Sequence, residues 1–593
     1  MTLFFRGALV ALLFFSTSSL FASALDHEWL SLLRYNAYGN SFLSEADSDR
    51  FFLSNDGRSN PVSEYEALAL AINQPITNDD HAVCRFPART LKIIRDKNLS
   101  TLPNFSKCNN LSQYLRATNA KSASLVFAGY FIQKPSSAFG HTFLRLHTNQ
   151  QGDAALLDFA VDFSASVNTS NPIAYGVKGI IGGFPGRFSR MPYFLKLREY
   201  ADLESRDIWE YPIDLTPQQT QLLVLHLWEM DQTHFDYFYF SENCSYHILR
   251  AIEAIASREV VQHLKFFVTP LDTIHALEDA SLLLPPIKRP SQFSILNASL
   301  KRLKGDSSLQ ANAFLQDPLS FSGTLPSDAI TLDAFMEILN YRFAEQLLTD
   351  QTTPEVASLR REVLIARSKA IDSAPIATDP SDRPSLGHRG SWIDISYTFG
   401  DSSYLQLTNT FAVHDFRSSP IGFSNRFQMS MGEFSLRISD QKIKVDQIKV
   451  FDVLNASSSF AIDFSPAWRF SLGFDRVNSQ ASLRPYSLIS SGLSFDFSNE
   501  LLLMLAFDLR PRLSEDTKTF HLPLGPSSIL VYHFDWLRLG FEANFYREVV
   551  DKSNNYLINP FMRVDISKNV EIQVESKFSK HEQLFNLGMT YFY

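Results

Sequence analysis

The chain opens without an apolar run long enough to cross a bilayer as a helix. Ala8 to Phe15 is the apolar core of its first residues, well short of the roughly 20 residues a spanning helix needs. With Arg6 before it and Ala22-Ser23-Ala24 after it, this stretch has the form of a secretory signal, residues 1–24, whose removal leaves Leu25 first. No cysteine follows that site, so a lipoprotein anchor is not indicated. Cysteine is scarce throughout: Cys84, Cys108 and Cys244 are the only three. In an oxidising compartment the two that lie close in sequence, Cys84 and Cys108, are expected to pair, closing a loop of roughly 25 residues worth up to about 3 kcal/mol. Cys244 is then the odd thiol, a liability in an exported protein unless it has a use. Basic charge is in deficit, 54 Lys and Arg against 63 Asp and Glu, which argues against nucleic acid as a partner. The glycine-rich stretch Gly176 to Gly186 lacks phosphate-loop spacing and a closing Lys-Ser/Thr, so it reads as a long hairpin or lid and not as a nucleotide cradle. No histidine pair has the H-E-x-x-H spacing, which argues against a metal site built from His141, His147 and His247.

At 593 residues the chain is too long for one core, and two to four domains are expected. Residues 25–119 look helical, with Trp29, Leu32 and Leu33 opening an apolar face. From Ser122 the texture turns to strands: Ser122 to Phe131, His141 to Thr148 and Ala155 to Phe163. Alternation along the second puts His141, Phe143, Arg145 and His147 on one face. Arg206 to Tyr211 is a further strand. Thr216-Pro217-Gln218-Gln219 is a helix start with a capping box. Residues 276–389 are read as a helical connector, with amphipathic helices over Ile330 to Leu348 and Pro354 to Ala370, ending in a Pro-, Asp- and Ser-rich linker.

From residue 390 the chain alternates. Ile393, Ile395, Tyr397 and Phe399 face one way, Asp394, Ser396 and Thr398 the other, and the pattern continues to a final strand ending in Tyr591 and Tyr593. Roughly ten to twelve strands of about ten residues with short turns suit an up-and-down barrel. An apolar, aromatic-rich exterior, a signal peptide and a terminal aromatic resemble bacterial outer-membrane barrels; a soluble antiparallel barrel or sandwich is the alternative.

The chemistry gathers around Ser241-Glu242-Asn243-Cys244-Ser245-Tyr246-His247. Asn243 is a good N-cap, and Ile248, Ala251, Ile252 and Ile255 follow at helical spacing. Cys244 then sits at the positive end of a helix dipole, which favours a thiolate. A nucleophilic cysteine needs a base, and His141 in Ser137-Ala138-Phe139-Gly140-His141 is the best placed. Asp158 and Asp162 fall on one face of the following strand, roughly 13 Å apart. Asn243 and Ser137 could support the oxyanion, and Tyr130 could line the site. Arg145 either binds a substrate carboxylate or pairs with an acid such as Glu210.

A His-bearing strand followed later by an Asn-Cys helix start resembles the circularly permuted papain-like fold of the NlpC type, to which lecithin retinol acyltransferase-like proteins belong. Phe139-Gly140-His141-Thr142-Phe143-Leu144-Arg145, Arg206-Asp207-Ile208-Trp209-Glu210-Tyr211 and Glu242-Asn243-Cys244-Ser245-Tyr246 together resemble the Lnb N-terminal periplasmic domain family. The resemblance implies a multidomain protein: a helical N-terminal domain (25–119), an α+β permuted papain-like domain (120–275), the helical connector (276–389) and a C-terminal antiparallel β-barrel (390–593) set in the outer membrane. The implied activity is a thiol hydrolase or acyltransferase cutting amide or ester bonds in the envelope, without a cofactor. By the same resemblance the group that orients the His141 imidazole comes from the strand after it; only one of Asp158 and Asp162 can serve, and Asp158 is the choice. Peptidoglycan peptides are the first substrate class and lipid acyl groups the second. The rival readings are a non-catalytic chaperone or assembly factor using the same groove, and a pore.

Overall fold

The computed structural model describes residues 25–593 except 101–102, 131–138, 149, 151, 257, 262–266, 350, 372–382, 412–413, 424–425, 440–441, 460–463, 499, 514–519 and 551. The chain forms two compact units, residues 1–378 and 379–593.

The first unit starts with a short helix, His27–Leu32, capped by Asp26. A hairpin of β1 (Tyr35–Tyr38) and β2 (Ser41–Ser44) follows, in a region whose sequence pattern is largely helical; Gly39 at φ 62° turns it. Helices Pro61–Ala71, Pro87–Asp96 and Asn109–Thr118 complete this part. Cys84 and Cys108 are disulfide-bonded, with 5.4 Å between their Cα atoms. Arg89 is wholly buried, and its Nε donates to Glu229 Oε2 at 3.0 Å. That ion pair ties the N-terminal helices to helix Pro217–Met230, which carries the predicted capping box of Thr216 and Gln219.

The core of this unit is a seven-stranded antiparallel sheet. Its strands are β3 (Ser122–Ala128), β4 (His141–His147), β5 (Phe159–Ala165), β6 (Phe184–Pro192), β7 (Ile208–Pro212), β8 (Phe235–Tyr237) and β9 (Ile287–Arg289), in the order β8-β6-β5-β4-β3-β7-β9. The His141 strand is therefore central. Helix Cys244–Ala256 packs on it and is almost entirely buried. The predicted strand from Ala155 starts later, at Phe159, because Gly152–Leu157 winds into a 3-10 turn. The glycine-rich stretch is not a hairpin. It is the end of helix Pro172–Ile181 followed by β6. Gly182 at φ 81° stops the helix, with Gly183 N donating to Lys178 O at 2.7 Å, the left-handed ending for which glycine is suited. The stretch Ile330 to Leu348 is two helices, Ala329–Arg342 and Ala344–Leu348, and Pro354–Lys369 packs against the first.

The second unit is a closed barrel of twelve long antiparallel strands. Its first, Trp392–Gly400, pairs with its last, Gln583–Phe592. Outward-facing Ile393, Ile395, Tyr397, Phe399, Leu587, Met589 and Tyr591 are exposed, while Asp394, Ser396, Thr398 and Thr590 are buried inside. The interior is laced with ion pairs, as where Arg469 joins Asp452 and Glu542. Apolar side chains outside and charges inside are stable only where lipid surrounds the wall, and closure leaves no unpaired strand edge. The barrel is a membrane-spanning one. Among the described residues no helix is long and apolar enough to cross a membrane.

Candidate active site

Cys244 is the first residue of its helix, free and 6% exposed. Asn243 caps it as predicted: Oδ1 accepts from Ser245 N at 3.0 Å and Tyr246 N at 3.3 Å. Its Nδ2 donates to Tyr239 O at 3.0 Å and Val268 O at 2.7 Å, so one side chain fixes the helix start and the two loops beside it. Gly140, at φ 88°, lets the chain enter β4; a Cβ there would come within 2.9 Å of the Phe127 ring and 3.0 Å of Ala128 O. His141 follows, and its side chain lines one cleft together with Cys244.

The carboxylate at the imidazole is Asp162 and not Asp158. His141 Nε2 lies 2.7 Å from Asp162 Oδ1, and Lys196 Nζ holds the other oxygen at 2.9 Å. The reason is strand register. β4 and β5 run antiparallel with Leu146 opposite Phe159 and Leu144 opposite Val161, so Asp162 falls near the start of β4 and Asp158 near its end. There Asp158 accepts from Arg145 Nη2 at 2.8 Å and from Thr148 N at 2.9 Å. Arg145 also donates to Glu210 at 2.8 Å and lies over the Tyr193 ring. It is a buried ion-pair hub. The Tyr130 ring packs edge-on against Phe127. Ser137 lies outside the described residues.

Burial disfavours a charged imidazole at His141, but Tyr200, the Cys244 sulfur and the Asp162 carboxylate outweigh it and hold its pKa well above the usual 6.5. Burial would also raise the Cys244 thiol; the neighbouring His141 and the Thr142 backbone contact bring it below its ordinary value instead. Against the cost of burial, His141 and Lys196 keep Asp162 ionised. Together these shifts favour a thiolate–imidazolium pair.

The three histidines weighed as metal ligands do not converge. His147 bonds Ser124 at 2.7 Å, and the His247 ring is packed against Phe163 and Phe235. Among the described residues no group of three or more His, Cys, Asp or Glu side chains is placed to hold a metal ion.

Above Cys244 and His141 lies a small cleft of about 40 Å³ walled by Phe139, Tyr237, Tyr239, Phe240, Phe267 and Val268. Helix Pro172–Ile181 borders these loops, Tyr239 N donating to Gly179 O at 2.8 Å. Its Val177, Ile180 and Ile181 are 51%, 57% and 65% exposed. The aromatic walls, Tyr200 and Lys196 are site residues that sequence reasoning missed. They come from loops, short helices and the end of the three-residue strand β8, where no local spacing marks them.

Residues 110–280 match the family described as the Lnb N-terminal periplasmic domain. Residues 24–95 and 381–592 match two domains of unknown function, DUF7843 and DUF7840. No curated protein matches the chain. Among solved structures, a KdgM porin aligns at 14% identity over 34% of this chain and 99% of its own, with a TM-score of 0.23. A NanC porin aligns at 10% over 34% and 99%, TM-score 0.24. An outer membrane channel from Pseudomonas putida F1 aligns at 10% over 37% and 100%, TM-score 0.22. The reading of the barrel rests on its own closed wall and inverted surface. With a periplasmic-domain match ahead of an inside-out barrel, this is an envelope protein, periplasmic in its first unit and set in the outer membrane by its second.

Proposed function

We propose that the protein is a cell-envelope cysteine acyltransferase or hydrolase of permuted papain-like, NlpC-type design, with Cys244 as nucleophile, His141 as base and acid, and Asp162 as the group that orients His141. The observation that carries this reading is the 2.7 Å contact of Asp162 with His141 Nε2, on a ring that lines one cleft with Cys244 at its helix start. With Nε2 held, Nδ1 is the nitrogen left for sulfur chemistry.

In the first step the Cys244 thiolate adds to an ester or amide carbonyl. The tetrahedral oxyanion is stabilised by the Cys244 backbone N–H and the helix dipole. The C–O or C–N bond breaks as His141 gives its proton to the leaving alcohol or amine, and a thioester remains. In the second step His141 takes a proton from an amine or water, which attacks the thioester and returns the thiolate. Asn243 supports this site by holding the loops, since its Oδ1 already accepts two backbone N–H groups.

The cleft favours an apolar acyl group over a peptidoglycan peptide. Its walls are largely aromatic, and the exposed Val177, Ile180 and Ile181 of the helix beside it extend that apolar character to the surface. A lipid acyl chain suits such a path, whereas a charged peptide would be desolvated without partners.

The test is the pH dependence of iodoacetamide alkylation of Cys244 in the folded full-length protein, beside His141→Ala, with acyl transfer from a phospholipid followed in parallel. Expected are alkylation well below the unperturbed thiol pKa of about 8.5, its loss in the variant, and thioester formation at Cys244. A thiol inert until unfolding, or indifferent to His141, would overturn the enzyme and return the groove to the partner-binding reading.

A further inference from the structure

We propose that the barrel is a sealed membrane anchor and not a pore, closed at the mouth where the chain enters by the segment His414–Phe423 folded back into the lumen. This goes beyond the chemistry at Cys244 and is independent of it.

The barrel's first strand begins at Trp392 beside Phe592 at the end of its last. Because neighbouring strands run antiparallel, Leu454, Ala467, Leu502 and Val531, near the ends of their own strands, lie at this same mouth. Here the rule of polar side chains inside is broken. Phe416 is fully buried in a cluster with Leu454, Ala456, Ala467, Leu502, Met504, Val531 and Phe561. An apolar knot inside an otherwise charged lumen excludes water from the cross-section it fills.

A second layer lies beside it. The rings of His388 and Phe592 are 4.0 Å apart, His388 and Phe423 4.5 Å, and His414 and Phe423 4.5 Å at an interplanar angle of 8°. Gly422, at φ 74°, sits so close to Gly387 that a Cβ on it would lie 2.6 Å from Gly387 N. The stretch leading into the first strand and the folded-back segment are thus packed backbone to backbone.

The segment is also stapled to the wall. Ser419 N donates to Glu571 Oε1 at 3.0 Å, and Arg563 Nη1 donates to Ser418 Oγ at 2.9 Å. Arg538, wholly buried, donates to the same Glu571 oxygen at 2.8 Å. Arg417 is bonded to Asp415 at 2.9 Å and lies 3.5 Å from Glu575. These charges sit away from bulk water and are paired, so dislodging the segment would strand several of them at once. Past the staples a polar cavity of about 480 Å³ remains, with Tyr486, Asp508, Arg510 and Arg512 in its wall.

The test is single-channel recording on the full-length protein in planar bilayers, with liposome swelling in a monosaccharide alongside. The wild type is expected to give no conductance steps above a protein-free bilayer and no swelling. Phe416→Gly with Arg538→Ala, confirmed as a folded barrel by its heat-dependent shift on a gel, is expected to conduct. A wild type that conducts steadily overturns the proposal, as does a folded double variant that stays silent. If the double variant does not fold, the wild-type recordings alone decide, conduction overturning and silence supporting the seal.

Discussion

Asp162 meets His141 Nε2 at 2.7 Å, while Asp158, four residues earlier on the same approach, is bound to Arg145 at 2.8 Å. The two carboxylates have different partners, the imidazole beside Cys244 and a buried guanidinium, and substitution separates them.

Asp162→Asn removes the negative charge that supports the imidazolium. Alkylation of Cys244 at pH 6 is expected to fall about tenfold, the equivalent of one pKa unit. Asp158→Asn is expected to leave that rate unchanged but to destabilise the first unit by about 3 kcal/mol, because it weakens the pairing of a buried guanidinium. Rates and denaturation midpoints of the two variants check this, and equal effects on both would contradict the separation.

The pH window of the ion pair follows from the direction of each shift. His141 has a raised pKa, so its stabilising contribution is complete below about 6.5 and is lost as pH climbs through the raised value. Cys244 has a lowered pKa, so its contribution is present above its unfolded value and is lost as pH falls through the lowered one. The thiolate–imidazolium pair therefore occupies the interval between the two folded-state values. A bell-shaped pH profile of turnover is expected, and in His141→Ala alkylation of Cys244 should rise only toward the unperturbed thiol pKa of about 8.5.

Gly140→Ala places a Cβ where the backbone is left-handed and the Phe127 ring and Ala128 O are already close. A cost of about 1–3 kcal/mol is expected from the backbone strain, along with slower alkylation of Cys244, since the next residue is His141. Thermal unfolding and alkylation rates read the two effects; an unchanged midpoint would show that the turn can relax.

Reduction of Cys84–Cys108, which span 24 positions, is expected to destabilise the first unit by about 3 kcal/mol through the freed chain entropy of the unfolded state. Urea unfolding with and without a phosphine reductant measures it. Cys244 alkylation under native conditions should be the same in both.

Local chemistry was legible along the chain. Asn243 as a cap, Cys244 at a helix start, His141 on a strand and the alternating barrel wall each depend on residues a few positions apart, where spacing is itself the geometry; the disulfide joins the two cysteines nearest in sequence. The glycine-rich stretch is a helix end and a strand where a hairpin is expected, because glycine marks the end of a helix as readily as a turn between strands, and only the fold tells them apart.

The sequence by itself determined which groups could do chemistry: an odd thiol, a histidine, two acids on one strand face, and an inside-out barrel pattern. The tertiary structure decided which acid serves the histidine, because the register between β4 and β5 is a contact between separate segments and no spacing within either encodes it. It likewise brought Lys196 to Asp162 and folded Phe416 into the barrel, both of them placements made by long-range packing.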